Sequence, residues 1–158
     1  MNNSIPMSQS RTMKTTLVFP PDTNHHGSIF GGKILAYIDE IAAIAAMKHA
    51  KSEVVTASID SVDFVTPAYE GDIIELEAVV SSTGRSSMEV YVRVVSHNVI
   101  TSEKLLTTES FVTMVAVDAS GKPKEVPAVY PETDEEKRLF ENGPLRREHR
   151  RAKRALSH

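Results

Sequence analysis

The sequence contains no cysteine and no tryptophan among its 158 residues. The absence of cysteine excludes disulfides, thiolate catalysis and cysteine-ligated zinc. No apolar run approaches the ~20 residues of a transmembrane helix, and the opening stretch MNNSIPMSQSRTMK lacks the apolar core of a signal peptide. The net charge of −3 gives no indication of nucleic-acid binding. We therefore expect one intracellular domain, located in the cytoplasm and independent of membranes and nucleic acid.

The histidines do not form a recognisable metal motif. His25 and His26 are adjacent, so their side chains point in different directions in a helix or a strand. No HxH, HxxxH or HExxH spacing occurs in the sequence. We expect these two histidines to be loop residues that face solvent, and we expect no metal site.

Apolar periodicity divides the chain into three parts. Residues 1–12 are polar and are expected to be disordered. Residues 13–130 are expected to form one α+β domain, whose predicted elements are a strand at 14–19, a long buried helix at 32–51, and four further strands at 54–65, 73–82, 88–100 and 105–118. Short turns between the last four strands predict an antiparallel meander. The helix is apolar on nearly every face, so the sheet must curl around it or a second subunit must cover it.

The last part, residues 131–158, is expected to be a charged helical tail. Thr133, followed three positions later by Glu136, is typical of a helix start. Pro144 is expected to break that helix. The arginine-rich remainder has no interleaved aromatic residues, so we interpret it as a solvated or subunit-contacting helix rather than a nucleic-acid site.

Three residues in the first half of the long helix region, Gly31, Gly32 and Asp39, are candidates for chemistry. Gly31 and Gly32 directly precede the helix, where free N–H groups can hold an anion or a carbonyl oxygen. The alternative is a tight loop that needs positive φ angles. Asp39 lies about two turns further along an apolar helix, where a carboxylate is costly unless it is paired or used. These residues favour a functional site around Asp39.

Candidate anion-binding residues occur in two later turns. Arg85 stands among hydroxyl residues in TGRSS, with Ser86 and Ser87, and this combination suits a phosphate. Lys122 and Lys124 follow the last predicted strand and could serve the same anion. Ordinary turn chemistry explains TGRSS equally well when the motif is taken alone.

Two motifs resemble those of the hotdog-fold acyl-CoA thioesterases. The stretch DTNHHGSIFGGKILAYIDEIAAIAAMKHA is similar to the family signature, with its motif positions at Asp22, Asn24, Gly27, Phe30, Gly31, Gly32, Asp39, His49 and Ala50. The later stretch TASIDSVDFVTPAYEGD is similar to the pattern T-x-x-x-D-x-V-x-F-x-x-P-x-x-x-G-D. The resemblance covers residues 13–130 and is closest to the branch of bacterial broad-range acyl-CoA hydrolases and the cytosolic brain-type enzyme.

The resemblance implies a fold, an assembly and a reaction. It implies a long helix wrapped by a five-stranded antiparallel sheet, in dimers that assemble as trimers of dimers, that is, a homohexamer. It implies hydrolysis of fatty acyl-CoA, with no cofactor other than the coenzyme A of the substrate. Asp39 would act as general base or nucleophile, and Asn24 from the facing subunit would orient the water or stabilise the oxyanion.

The remaining parts of the site follow from the same resemblance. Gly31 and Gly32 would polarise the thioester carbonyl. The CoA phosphates would lie near Arg85, Ser86 and Ser87, and near Lys122 or Lys124. Two alternatives remain: a hotdog hydratase or dehydratase, which would pair a histidine with a carboxylate, and a non-catalytic acyl-CoA-sensing module, which would lack the carboxylate.

Overall fold

The computed structural model describes residues 3–157. Its strands and α-helices, in chain order, are β1 (Ile5–Pro6), β2 (Thr12–Leu17), α1 (Gly31–Ala50), β3 (Glu53–Phe64), β4 (Ile73–Thr83), β5 (Ser87–Asn98), β6 (Glu103–Val117), β7 (Val129–Tyr130), α2 (Asp134–Glu141) and α3 (Gly143–Ser157). A five-stranded antiparallel sheet with one long helix confirms the predicted α+β hotdog architecture.

The strand order of the sheet is β2-β4-β5-β6-β3. The predicted meander is therefore correct for β4, β5 and β6 only. β3 pairs with β6 at the far edge instead of with β4. The connection between β3 and β4 passes the start of α1, where Ile29 donates a backbone hydrogen bond to the carbonyl of Ala68. This crossing carries the chain from one edge of the sheet to the other side of its centre.

α1 packs across one face of the sheet. Its buried residues join alternating residues of the central strands in a single apolar cluster that includes Ile38, Leu76, Val92, Val112 and Met114. Each buried aliphatic side chain of this kind contributes about 1.5–3 kcal/mol to folding. The sequence predicts that α1 is covered on all sides, but the single chain leaves Ala36, Glu40, Met47 and Lys48 exposed.

The opposite face of the sheet is covered by the C-terminal helices. α2 begins with the predicted capping box: the amide of Glu136 donates to Thr133 Oγ1 over 3.1 Å, and the Glu136 carboxylate accepts from the Thr133 amide. α2 ends at Glu141 and α3 starts at Gly143, so the predicted break near Pro144 is confirmed. Residue 158 lies outside the described residues.

The N-terminal segment is ordered, contrary to the expected disorder of residues 1–12. β1 pairs in parallel with β7, and a 3₁₀ turn follows at Met7–Ser10. Met7 is fully buried, and Ser10 Oγ accepts a hydrogen bond from the amide of Val80 over 2.8 Å. The strand pairing, the buried Met7 side chain and the Ser10–Val80 hydrogen bond together attach the segment to the rest of the chain. Residues 1–2, which belong to the same prediction, lie outside the described residues.

Within residues 3–157, no helix combines the length and the apolar composition needed to cross a bilayer.

Candidate active site

The N-terminal end of α1 presents its first backbone N–H groups to solvent. Gly31 and Gly32 are the first two residues of the helix, and both are exposed. Phe30 precedes them and provides no side-chain capping bond. The first N–H groups of a helix lack intrahelical partners and carry partial positive charge. This end can therefore receive an anion or the oxygen of a polarised carbonyl.

The structure explains the presence of glycine differently at Gly27, Gly31 and Gly32. Gly27 has a φ angle of 79°, which favours glycine because side chains clash in the left-handed region. Gly31 and Gly32 are helical, so positive φ does not explain them. A Cβ atom on Gly31 would lie 3.4 Å from the Phe64 ring, whereas one on Gly32 would meet open space. Within the described residues, no steric contact and no positive φ angle requires glycine at position 32.

Asn24 organises the loop before α1. Its Oδ1 accepts hydrogen bonds from the amides of His26 and Ser28 over 2.9 Å and 3.2 Å. Its Nδ2 donates to Ser28 Oγ over 3.0 Å. These contacts fix the loop and hold the amide at its half-buried position beside the start of the helix.

Asp39 is bonded to the edge strand. Thr56 Oγ1 on β3 donates a hydrogen bond of 2.6 Å to Asp39 Oδ1. The same hydroxyl lies 3.5 Å from the Met114 sulfur. Asp39 is half-buried, on the side of α1 that faces β3. The carboxylate is thus held in place and is still accessible to a small molecule.

Asp39 and the helix start are separated within one chain. Asp39 follows Gly32 by about two helical turns, which corresponds to about 10 Å along the axis. The side chain of Asn24 is bonded within its own loop and makes no hydrogen bond to Asp39. One water molecule or one carbonyl group cannot contact both places at once.

The histidines take structural or solvent-facing positions. His25 and His26 are exposed, and their ring centroids are 3.9 Å apart. His49 is fully buried, with its Nε2 2.7 Å from the carbonyl oxygen of Pro127. None of these three rings contacts the Asp39 carboxylate in the described residues, whereas the hydratase alternative requires such a pair.

A basic cleft lies between the turn after β4 and helix α3. We use this name for the space of about 680 Å³ bordered by Gly84–Ser87 on one side and by arginines of α3 on the other. The arginines are Arg147, Arg150, Arg151 and Arg154, and the lining also includes Lys153 and one carboxylate, Asp60, which lies 3.9 Å from Arg150. The predicted anion-binding residues Arg85, Ser86 and Ser87 therefore lie together at one cavity.

Lys122 and Lys124 are placed elsewhere. Both are exposed in the turn after β6, where Asp118 Oδ1 accepts the amide of Lys122 over 3.1 Å. The Lys124 amide bonds to the carbonyl of Ala116 over 2.8 Å. Neither lysine borders the basic cleft.

Comparison with known proteins identifies the family. Residues 26–101 match the thioesterase superfamily. The chain is 51% identical over 128 residues to the uncharacterised acyl-CoA thioester hydrolase YkhA of Bacillus subtilis. This match covers 81% of the chain and 74% of YkhA. The chain belongs to the acyl-CoA thioester hydrolase family. The resemblance inferred from the sequence motifs is thereby confirmed.

The mammalian relatives of the chain are longer. The mouse cytosolic acyl coenzyme A thioester hydrolase is 35% identical over 154 residues. This match covers 96% of the present chain and 40% of the mouse protein. The chain therefore spans less than half the length of that mammalian relative.

Solved structures of the family superpose closely on the chain. An apo hexameric acyl-CoA thioesterase is 67% identical, with a TM-score of 0.95 and coverage of 97% of this chain and 98% of that one. The acyl-CoA hydrolase of Staphylococcus aureus, in complex with butyryl-CoA, CoA and CoA disulfide, is 51% identical with a TM-score of 0.94, and covers 98% of this chain and 94% of that one. The S. aureus enzyme has also been solved with single alanine substitutions of an aspartate, an asparagine and a threonine.

Two features around these residues are not indicated by the sequence alone. Thr56 was not singled out, although it heads the T-x-x-x-D motif on β3. The arginines of α3, which the sequence predicts as a solvated or subunit-contacting face, also border the basic cleft. The available signal for α3 was the spacing of Arg147, Arg151 and Arg154, which places them on one helical face.

Proposed function

We propose that this chain hydrolyses fatty acyl-CoA to a free fatty acid and CoA, with Asp39 as the general base that activates water. The observation that carries this proposal is the hydrogen bond of 2.6 Å that holds Asp39 in place from Thr56. A carboxylate on an apolar helix is expensive to bury in part, so a retained and positioned one suits a chemical role.

The alanine variants of the S. aureus enzyme support this assignment. The three substituted positions in that chain have the same spacing along the sequence as Asn24, Asp39 and Thr56 have here. The residue types also agree in the same order. We therefore assign Asn24, Asp39 and Thr56 to one active site.

A site shared between two subunits explains the separation of these groups in one chain. β3 is an edge strand with exposed apolar side chains: Val55 is 50% exposed and Phe64 is 57% exposed. An exposed edge of this length is a template for pairing with another chain. Edge-to-edge pairing of two β3 strands would bring Asp39 and Thr56 of one subunit near the Asn24 loop and helix start of the other.

The proposed reaction begins with attack of water on the thioester carbonyl. Asp39 accepts a proton as the oxygen–carbon bond forms. The negative charge that develops on the carbonyl oxygen is stabilised by the N–H groups at Gly31 and Gly32, with Asn24 orienting the water. The carbon–sulfur bond then breaks, CoA leaves with the proton, and the carboxylic acid remains. No metal or additional cofactor takes part in this scheme.

The basic cleft is the proposed place for the CoA phosphates. Arg85 offers a planar guanidinium, and Ser86 and Ser87 offer hydroxyl donors at the same cavity. Lys122 and Lys124 are left out of this proposal because they do not border the cleft. The apo relative is hexameric, so we propose that this chain also assembles beyond the dimer, as a trimer of dimers.

A thiol-release assay tests the proposal. Purified protein is mixed with acyl-CoA substrates of increasing chain length, and free CoA is detected with a thiol-reactive chromophore. We expect release from at least one chain length, and its loss in Asp39→Ala. The matched control is Glu40→Gln, which changes the adjacent exposed carboxylate. Undiminished release by Asp39→Ala would refute the mechanism, and CoA binding without release by the wild type would indicate a sensing module.

A further inference from the structure

The edge strand β3 is irregular next to Thr56. Thr56 pairs with Met114 of β6, and Ser58 pairs with the adjacent Thr113, so two steps along β3 match one step along β6. Ala57 is therefore an extra residue, as in a β-bulge. Bulges re-aim side chains, and this bulge directly follows the residue whose hydroxyl contacts the proposed base.

The bulge places Thr56 and Asp60 on opposite faces of the sheet. The two residues are four positions apart, and in a regular strand such residues share a face. Thr56 instead donates to Asp39 of α1, whereas Asp60 lies 3.9 Å from Arg150 of α3, on the other side of the sheet. One strand therefore contacts a different helix on each face within five residues.

The Asp60 carboxylate makes hydrogen bonds across the bulge. Its Oδ2 accepts from Thr113 Oγ1 over 2.5 Å, and its Oδ1 accepts from Ser58 Oγ over 2.5 Å. Ser58 and Thr113 are the register pair that follows the bulge on the side away from Thr56. Hydrogen bonds from a hydroxyl to a carboxylate at this length are among the stronger ones in proteins. Asp60 thus links β3 to β6 where the regular pairing is interrupted.

Helix α3 covers the Asp60 carboxylate. The Asp60 side chain is 12% exposed, and a carboxylate so far removed from water needs polar partners. Ser58, Thr113 and Arg150 supply them. Arg150 Nη1 also donates a hydrogen bond of 2.7 Å to the buried carboxylate of Glu89 on β5. The bulge is therefore fixed from the outer face of the sheet by contacts that reach the central strands.

We infer that Asp60 is a positioning residue, which fixes the bulge of β3 so that the Thr56 hydroxyl points at Asp39. This inference rests on the proposed function, in which Asp39 is the base. Without the links to Ser58 and Thr113, the bulge is free to move along β3. A slip of one residue turns each side chain to the other face of a sheet, and it would take the hydroxyl away from Asp39. Asp60 lies on the opposite face and contacts no reacting atom.

The charge of Asp60 gives a second way to affect catalysis, which the test must separate. Asp60 also borders the basic cleft, where it would repel the proposed CoA phosphates. Loss of that charge alone should strengthen binding of acyl-CoA and so lower KM. Loss of the positioning role should lower kcat, because the hydrogen bond between Thr56 and Asp39 would be broken.

Steady-state hydrolysis of one acyl-CoA by two Asp60 variants distinguishes position from charge. We expect Asp60→Ala to lower kcat about 10-fold without raising KM, as loss of a hydrogen bond to a charged group does. Asp60→Asn should retain most of kcat, since its amide can accept from one hydroxyl and donate to the other. Asp63→Ala, which removes an exposed carboxylate from the same strand, is the matched control and should leave kcat unchanged.

The same substitutions in a Thr56→Val background test whether Asp60 acts through Thr56. With the Thr56 hydroxyl absent, Asp60→Ala should cause no further loss of kcat, because nothing remains to be positioned. Thr113→Val removes only one of the two bonds and keeps the carboxylate. It should lower kcat in the wild-type background and leave it unchanged in the Thr56→Val background. A general structural role would lower kcat to the same degree in both backgrounds.

Crystal structures of the variants separate this inference from the proposed function, since they require no hydrolysis. We expect the Thr56 hydroxyl to lie beyond hydrogen-bond distance of Asp39 in Asp60→Ala and within it in Asp60→Asn. If the wild type cleaves no thioester, the proposed function fails, and these structures still decide whether Asp60 positions Thr56. An intact bond between Thr56 and Asp39 in Asp60→Ala would overturn the inference. Equal losses of kcat in Asp60→Ala and Asp60→Asn, or additive losses with Thr56→Val, would also overturn it.

Discussion

The hydroxyl of Thr56 donates a hydrogen bond of 2.6 Å to the carboxylate of Asp39 and so joins the edge strand β3 to the central helix. The bond occupies one carboxylate oxygen and fixes the rotamer of the side chain. The Thr56 hydrogen bond does not involve the other carboxylate oxygen, Oδ2, which is left to accept a proton. A base that is held in this way loses little orientational freedom when it accepts a proton.

Substitutions of Asp39 and Thr56 should distinguish the contribution of the Asp39 carboxylate to kcat from that of the Thr56 hydrogen bond. We expect Asp39→Asn to lower kcat about 10²–10⁴-fold, because an amide cannot accept the proton of water. Thr56→Val should lower kcat about 10–100-fold, since the lost bond is one to a charged group. Thr56→Ser keeps the hydroxyl and should retain most activity. Steady-state hydrolysis of one acyl-CoA measures all three.

Glu40→Gln provides the matched control for these variants. Glu40 is exposed and is paired with Lys14 over 3.1 Å on the surface. Its loss should leave kcat unchanged, because surface pairs contribute roughly 0–1 kcal/mol and this one lies away from Thr56. Equal rates for Thr56→Val and wild type would show that the hydrogen bond has no part in the reaction.

Mixing two inactive variants should reveal whether the site is shared between chains. Asn24→Ala and Asp39→Ala are each expected to lack activity. After joint unfolding and refolding at equal amounts, about a quarter of the sites should contain both wild-type side chains if they come from different subunits. The mixture should therefore recover about a quarter of wild-type activity. No recovery, with mixed dimers verified by mass spectrometry, would place both residues in one chain.

The sequence predicts elements better than it predicts their neighbours. Long periodic segments such as IIELEAVVSS indicate strands directly, and the strand β4 extends over Ile73–Thr83 as expected within a residue. Periodicity contains no information about which strands are adjacent. β3 was therefore expected beside β4, although it pairs with β6. The crossover at residues 65–72 depends on contacts between distant segments, such as Ile29 with Ala68.

The local sequence also does not indicate which residues become buried or make long-range contacts. Glu89 alternates with apolar residues in MEVYV, as any solvent-facing strand residue does, yet α3 covers it. Thr56 is an ordinary strand residue in composition, and only its contact with Asp39 distinguishes it. Met7 lies between Pro6 and the polar stretch Ser8–Ser10, so no apolar periodicity indicates its burial. The motif around Gly31, Gly32 and Asp39 was found because glycines and an isolated carboxylate on an apolar helix are locally unusual.

Removal of the Glu89 carboxylate should destabilise the fold. Glu89→Gln leaves Arg146 and Arg150 buried against a neutral group, and we expect a loss of about 3–5 kcal/mol in the free energy of unfolding. Glu125→Gln, which breaks an exposed pair with Arg85, should cost less than about 1 kcal/mol. Urea unfolding at one protein concentration measures both. An equal loss of unfolding free energy in the two variants would show that the buried ion pairs of Glu89 stabilise the fold no more than an exposed pair does.

Substitution of Gly27 should destabilise the fold, whereas substitution of Gly32 should not. Gly27→Ala should destabilise by about 1–2 kcal/mol, because φ is 79° there. Gly32→Ala should be neutral or stabilise by up to about 1 kcal/mol, since a Cβ atom meets open space in a helix. We nevertheless expect Gly32→Ala to lower kcat/KM about 10–100-fold by obstructing the carbonyl. Full activity in a stable Gly32→Ala variant would exclude close approach at this position.

His49 should make the stability depend on pH. Burial lowers the pKa of His49 below its usual 6.5, and the hydrogen bond to the Pro127 carbonyl opposes this shift only in part. Within the described chain, Nδ1 is buried without a partner, so the neutral ring is the form that the fold accepts. Below pH 6.5 the unfolded chain binds a proton that the folded chain does not. The free energy of unfolding should therefore be highest above pH 6.5 and fall towards pH 5, by up to about 1.4 kcal/mol per pH unit.

This slope is measured by urea unfolding between pH 8 and pH 5 (roughly the interval in which histidine titrates) at one protein concentration. His49→Gln should be less stable at pH 8 but should show a smaller slope, because the titrating group has been removed. His25→Gln is the control, since His25 is an exposed loop residue and its loss should leave the slope unchanged. A slope that persists in His49→Gln would mean that another group binds the proton. In that case the buried ring would only fill space at the end of α1.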